Sequence, residues 1–282
     1  ITGTNDGATI SGDVLGAVTE DNSAPDLLAS GSLSVADVDQ GEDVFDTGSV
    51  TDTTVGGALG SLSITAAGAW SYSVATADVQ YLGAGDTRVE TFEVSSVDGT
   101  ATETVTITIT GTNDGATISG DVLGTVTEDN SAPDLLASGS LSVADVDQGE
   151  DVFDTGSVTD TTVGGALGSL SITAAGIWSY SVATADVQYL GAGDTRVETF
   201  EVSSVDGTAT ETVTITITGS NDGATISGDA VGAVSEDGND PLLTDGGSLS
   251  VADVDQGEDV FDTGSVTDTT VGGALGSLSI TA

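Results

Sequence analysis

Residues Thr87 to Gly115 read TRVETFEVSSVDGTATETVTITITGTNDG, and the alternation within them decides the fold. Phe92 and Val94 alternate with Thr91 and Glu93, and Val105, Ile107 and Ile109 alternate with Thr106 and Thr108. A period of two marks half-buried strands, which turn one set of side chains to a core and the other to water. Between the two runs stands Asp98-Gly99, the dipeptide that tight hairpins favour. Working outward, Trp70, Tyr72 and Val74 alternate with Ser71 and Ser73, and shorter alternations occur at Leu33 and Val35 and at Leu62 and Ile64. Seven strands follow: A over 8–20, B over 32–38, C over 43–51, D over 60–65, E over 69–75, F over 88–97 and G over 101–110. One helical turn is expected around Ala77 to Leu82, with Thr76 as its cap and Gly83 as its stop. Seven short strands in about 100 residues predict an all-β, immunoglobulin-like sandwich. Trp70, Tyr72, Phe45 and Phe92 are assigned to its core and Tyr81 to the corner between E and F.

The segment ITGTNDGATISGDVLG at Ile1 returns at Ile109, and ITGSNDGATISGDAVG stands at Ile217, a spacing of 108 residues (109 − 1 and 217 − 109). The first two copies differ only at Ala17 against Thr125 and Ala69 against Ile177. The third diverges mainly over Asp237 to Ser248, a patch expected to be a loop. Such a period fits a whole small domain better than a solenoid coil. The expected organisation is an elongated array of tandem sandwiches: 1–6 ending a preceding repeat, 7–114 and 115–222 as complete repeats, and 223–282 as a truncated third with its first four strands. That third copy lacks counterparts of Trp70 and Phe92 and is expected not to close its core, so the chain reads as an internal piece of a longer polypeptide.

The 282 residues hold 46 acidic side chains against two basic ones, Arg88 and Arg196, for a net charge of −44, with no Cys, His, Met or Lys. This excludes disulfides, zinc sites, Ser/His/Asp and Cys/His catalysis, and lysine Schiff bases. Nucleic acid and membrane insertion are excluded as well, because phosphates and anionic headgroups are bound by Lys and Arg, and no apolar run spans a bilayer. Paired carboxylates are the one catalytic device left. Since every acid pair recurs in each copy and aromatic sugar platforms are missing, no enzyme is expected. Cations are the favoured partners.

If successive strands run in opposite directions, the BC and FG loops lie at one end of a domain and the AB and EF loops at the other. Asp145, Asp147 and Asp206 of the second copy then lie beside the linker Asn113-Asp114, and Glu20, Asp21 and Asp86 of the first copy face the same place. The corresponding sets are Asn5, Asp6, Asp37, Asp39 and Asp98 at the start of the chain, and Glu128, Asp129, Asp194, Asn221, Asp222, Asp253 and Asp255 further on. Two carboxylates about 4 Å apart repel by roughly 4 kcal/mol at an effective dielectric near 20, so such a cluster demands a counterion. All-oxygen donors in variable number point to Ca2+. The Asp37-x-Asp39-x-Gly41-Glu42-Asp43 loop is not an EF-hand, since Gly41 takes a ligand position and no helices flank it. Glu42, Asp43, Asp46, Asp52, Glu90 and Glu103 are assigned to solvated surface.

The run Thr87 to Gly115, with GAWSYSV from Gly68, YLGAGDT from Tyr81, VTED from Val18 and DVDQGED from Asp37, resembles the VCBS repeat. The resemblance covers all of each copy, with Gly115 standing where that family commonly has Ala-Pro. It implies a cadherin-like or immunoglobulin-like fold and a place at the bacterial cell surface. The role it implies is that of a calcium-stiffened extender in a large adhesin or fibre, supporting cell adhesion or biofilm formation. Neighbouring repeats of the same chain are the expected partners, and exposed edge strands rich in Thr and Val could also pair between chains in lateral self-assembly into fibres. The alternative is a recognition module that binds glycan or protein through exposed loops such as Asp237 to Ser248.

Overall fold

The computed structural model describes residues 3–21, 26–129, 134–236, 238 and 242–282. Contacts divide the chain into two compact units, one of residues 1–118, 143–152 and 204–209, the other of 119–142, 153–203 and 210–282. The first copy contains β1 (Thr9–Gly12), β2 (Leu15–Thr19), β3 (Asp26–Ala36), β4 (Thr51–Asp52), β5 (Ser61–Ile64), β6 (Ala69–Ala75), β7 (Thr87–Ser95) and β8 (Thr102–Thr110). They form two four-stranded sheets, ordered β1-β3-β6-β5 and β2-β8-β7-β4. The second copy repeats this with β9 (Thr117–Gly120), β10 (Leu123–Thr127), β11 (Asp134–Ala144), β12 (Thr159–Asp160), β13 (Ser169–Ile172), β14 (Ile177–Ala183), β15 (Thr195–Ser203) and β16 (Thr210–Thr218). Its sheets are ordered β13-β14-β11-β9 and β10-β16-β15-β12. The chain is thus a tandem of all-β sandwiches, and among the described residues helix is confined to single turns at Thr76–Asp78 and Thr184–Val187.

Two expectations about the strands need correction. Strand A is not continuous: it breaks after Gly12, so that β1 pairs antiparallel with β3 while β2 pairs parallel with β8, from Leu15 opposite Thr106 to Thr19 opposite Thr110. The break falls where Gly12 has φ +128°, and a Cβ there would meet the Ser32 carbonyl oxygen at 2.5 Å. Only glycine lets the chain cross from one sheet to the other at that point. Strand C shrinks to Thr51–Asp52, and the stretch before it touches the ladder only through a bridge from Phe45 to Ser96. Asp43, Asp46 and Gly48 favour local turns there, as the Gly48 amide donating to Asp46 Oδ1 at 3.0 Å shows. Strand B begins earlier than expected, since β3 pairs with β6 from Asp26 opposite Ala75 onward.

Trp70, Tyr72 and Phe92 are buried, as their alternation requires, and Phe45 is buried beside them. The Trp70 indole donates to the Asp13 carbonyl at 2.8 Å. The Tyr72 and Phe92 rings meet tilted, with centroids 5.9 Å apart. Glu90, expected on the solvated surface, is fully buried instead. It shares the inward side of β7 with Arg88, Phe92 and Val94, and it accepts from the Leu59 amide at 2.6 Å, Tyr72 Oη at 2.7 Å, Arg88 Nε at 3.0 Å and the Gly60 amide at 3.1 Å. Arg196 and Glu198 repeat the pair at 2.9 Å, so both basic side chains of the protein are spent inside sandwiches.

In the third copy, β17 (Thr225–Gly228) pairs antiparallel with β18 (Leu249–Ala252). Within the divergent patch, residues 237 and 239–241 lie outside the described residues, and 242–248 carry no strand.

Candidate metal centre

After β11 the loop from Asp145 to Glu150 curls on itself. The Asp147 amide donates to Asp145 Oδ1 at 2.9 Å, the Glu150 amide to the Asp147 carbonyl at 3.2 Å, and Gly149 makes the reversal at φ +89°. This returns Glu150 to the acids, and ligand oxygens of Asp145, Glu150 and Asp206 lie within 4.8 Å of one another. The connecting peptide is tied to the same loops. The Asp114 amide donates to Asp147 Oδ2 at 2.8 Å, Asn113 Nδ2 to Asp206 Oδ2 at 3.2 Å, and the Ala116 amide to Thr208 Oγ1 at 2.8 Å.

Glu20 arrives through β2. Because β2 runs parallel to β8, both strands end on the same side, and the Glu20 amide donates to the Thr110 carbonyl at 2.8 Å. Glu20 Oε2 accepts from Thr112 Oγ1 at 2.7 Å. The turn before β7 closes the remaining side: the Gln148 amide donates to the Tyr81 carbonyl at 3.0 Å, and a Cβ on Gly83 would lie 3.0 Å from Glu150 Oε1 and 3.4 Å from the Asp147 Cβ. All these residues belong to the first compact unit.

The acids are buried against one another. Glu20, Asp147 and Asp114 are 0%, 2% and 4% exposed. Glu20 Oε1, Asp145 Oδ2, Asp147 Oδ1 and Glu150 Oε2 are buried without any hydrogen-bond donor. Burial pushes the carboxyls of Asp147 and Glu150 above their ordinary range, reinforced for Asp147 by Asp114, Asp145 and Asp206 and for Glu150 by Asp147, Asp206, Asp145 and Asp86. Asp206 moves the other way. Burial raises it, but hydrogen bonds from Ser204, Thr208 and Asn113 outweigh that and hold it at about 2.

A second cluster lies in the other unit. Glu128, Asp255 and Asp222 are 0%, 2% and 5% exposed. The Asp222 amide donates to Asp255 Oδ2 at 2.8 Å, Ser220 Oγ to Glu128 Oε2 at 2.9 Å, and the Gln256 amide to the Tyr189 carbonyl at 2.9 Å. Asn221 Nδ2 donates to the Asp222 carbonyl. Oxygens of Asp253, Asp255 and Glu258 come within 4.8 Å of one another. Burial first, then Glu128, Asp255 and Asp253, raise the Asp222 carboxyl. At the start of the chain, Asp37, Glu42 and Asp98 form the corresponding group. There the Asp6 amide donates to Asp39 Oδ2 at 2.7 Å and Asn5 Nδ2 to Asp98 Oδ2 at 3.1 Å, while Asp6 itself is exposed.

Most of the sequence-derived acids therefore stand together. Asp21, Asp129, Asp86 and Asp194 are exposed, and Asp86 acts on the first cluster through its field at Glu150. Glu42, assigned to solvated surface, belongs to the group at the start of the chain with Asp37 and Asp98, and its counterparts Glu150 and Glu258, absent from the sequence-derived set, stand in the other two groups. The signal was the glycine directly before each glutamate, which turns the loop back. The donor set is hard oxygen throughout, with acids facing acids and orphaned oxygens between them, a set that fits calcium.

Residues 5–111 match the bacterial cadherin-like domain family. No curated protein matches the chain. Among solved structures, it is similar to the protocadherin gamma B4 extracellular domain at 16% identity and a TM-score of 0.42, covering 92% of this chain and 40% of that one. It is also similar to extracellular cadherin domains 1–5 of protocadherin gamma B2, at 14% identity and a TM-score of 0.41 over 78% and 41% of the two chains. Titin domains Z1Z2, from a complex with telethonin, match at 11% identity and a TM-score of 0.31 over 77% and 98%. Among the described residues, no helix is long and apolar enough to cross a membrane. The similarity to the bacterial cadherin-like family thus lies within the first copy.

Proposed function

We propose that this chain is a set of calcium-stiffened spacer repeats from a large extracellular bacterial adhesin or fibre, of the kind the VCBS resemblance implies. The observation that carries this reading is the group of four buried carboxylate oxygens, on Glu20, Asp145, Asp147 and Glu150, that have no donor in a protein whose two cations are engaged elsewhere. Bound calcium would supply two charges and a demand for 6 to 8 oxygens at about 2.3 to 2.6 Å. Glu20, Asp114, Asp145, Asp147, Glu150 and Asp206 would hold it, with Asn113 orienting the connecting peptide. Glu128, Asp222, Asp253, Asp255 and Glu258 would do the same in the second cluster. Asn5, Asp6, Asp37, Asp39, Glu42 and Asp98 would complete a cluster with acids of a preceding repeat.

With domains at 7–114, 115–222 and 223–282, each ion would tie the last residues of one repeat to the loops of the next. Cation binding would then switch a self-repelling hinge into a stiff connection. Near-identical copies suit this role, since a spacer needs length and uniform mechanics. Calorimetric titration of the chain with calcium tests it. Binding is expected, on the order of 10⁻⁴ to 10⁻³ M for extracellular modules, and Asp147→Asn is expected to remove at least one site. An unchanged stoichiometry in that variant, or no heat at all, would refute the reading.

A further inference from the structure

The dipeptide Asp-Gly occurs in two settings that the structure separates. In the hairpins, Asp98-Gly99 and Asp206-Gly207, the glycine has φ of 74° and 75° and its amide is held, Gly99 donating to the Ser96 carbonyl at 3.0 Å and Gly207 to the Ser204 carbonyl at 3.1 Å. Glycine is required there by the left-handed backbone. In the connecting peptides, Asp6-Gly7, Asp114-Gly115 and Asp222-Gly223, none of the glycines has a positive φ, and a Cβ on any of them would meet nothing within 4 Å. Conformation gives no reason for glycine at these three places.

Their amides differ too. On either side of Gly115 the chain is pinned, the Asp114 amide by Asp147 and the Ala116 amide by Thr208. The Asp6 and Ala8 amides are pinned in the same way by Asp39 and Thr100. Between these anchors, the amides of Gly7 and Gly115 make no hydrogen bond among the described residues, and neither does that of Gly223. Each is a backbone nitrogen with no hydrogen bond to break and, with open space where a Cβ would stand, unshielded toward the aspartate before it.

We infer that the connecting peptides are sites of spontaneous aspartate isomerisation, and that the hairpin Asp-Gly pairs are inert. The Gly115 nitrogen bonds to Cγ of the Asp114 side chain in its protonated form, and the carboxyl hydroxyl leaves with the amide proton as water, closing a five-membered succinimide. Water then adds at the α-carbonyl carbon and breaks its bond to that nitrogen. The main chain now runs through the former side-chain carbonyl, with composition unchanged and no oxidant or second reactant beyond water. The backbone gains one carbon, and the carboxylate moves onto Cα. Exposed Asp6 reacts first, and buried Asp114 and Asp222 follow more slowly. On the calcium reading, on which this consequence rests, the product loses a ligand, so each connection softens irreversibly with age.

The test is peptide mapping of the whole chain after incubation at neutral pH and 37 °C, with and without calcium. Resistance to cleavage before aspartate and labelling by an isoaspartyl methyltransferase report the product. Free peptides TNDGAT and SVDGTA serve as unstructured references. Both peptides are expected to convert, while the folded chain converts at Asp6, then at Asp114 and Asp222, and stays intact at Asp98 and Asp206. Gly115→Ala, which has room for its methyl group, is expected to abolish conversion at Asp114 alone. Equal conversion at hairpins and connections, or intact connections while the free peptides convert, would overturn the inference. The expected pattern appearing equally with and without calcium would support the inference and count against the calcium reading.

Discussion

At Glu90 and at Asp147 a buried carboxylate meets opposite company. Burial raises the Glu90 carboxyl, but the Leu59 and Gly60 amides, the Tyr72 hydroxyl and the Arg88 guanidinium outweigh it and leave it below its ordinary range. A depressed carboxylate contributes stability that is complete above its unfolded pKa and lost as pH falls through the folded value. The acid limb of denaturation below about pH 4 therefore carries a share from Glu90. Glu90→Gln should lower stability at pH 7 by about 2 to 3 kcal/mol, because charge-assisted bonds are lost, and should flatten that limb. Melting curves from pH 7 to pH 2 check this, and an acid limb as steep as the parent's would contradict it. At Asp147 the neighbours are acids and the carboxyl is raised, so its charge costs stability until a cation arrives. Asp147→Asn should accordingly raise the melting temperature in chelator and lower it in millimolar calcium. A change of the same sign in both media would show that the residue acts by packing alone.

Among the elements, the parallel pairing of β2 with β8 does most to build the site, since it ends Glu20 beside Thr112 and the connecting peptide. The sequence could not show it, because a period of two is common to parallel and antiparallel strands. What it did show was the inward-facing side of β6, β7 and β8, where Trp70, Phe92 and Ile107 alternate with polar residues. It also showed which loops carry acids. The burial of Glu90 is written in the same alternation, since Glu90 shares parity with Phe92, but charge alone argues for the surface. Strand C misled because Phe45 and Val50 suggest a ladder that the Asp46 turn prevents. Gly83 tests how closely the turn before β7 must approach the acids. In Gly83→Ala the methyl would press on Glu150 Oε1 at 3.0 Å. Calcium affinity should fall several-fold with little change in the metal-free melt, and unaltered affinity would show that this turn does not shape the site.

For the whole molecule, a net charge of −44 sets the background. Salt screens exposed charges beyond about 8 Å at physiological ionic strength. It should therefore compact a chelated chain only partly, whereas calcium, on the proposed reading, would act at contact distance on buried oxygens. Small-angle scattering of the whole chain should show a larger or more variable radius of gyration in chelator than in calcium, and a tenfold increase in sodium chloride should not reproduce the calcium profile. Identical profiles in calcium and chelator would contradict the stiffening. The most direct measurement is anomalous diffraction from crystals grown with calcium. The account predicts a peak enclosed by oxygens of Glu20, Asp114, Asp147 and Glu150 at about 2.3 to 2.6 Å. Ordinary water at that point, or carboxylates turned away from one another with no peak between them, would contradict it.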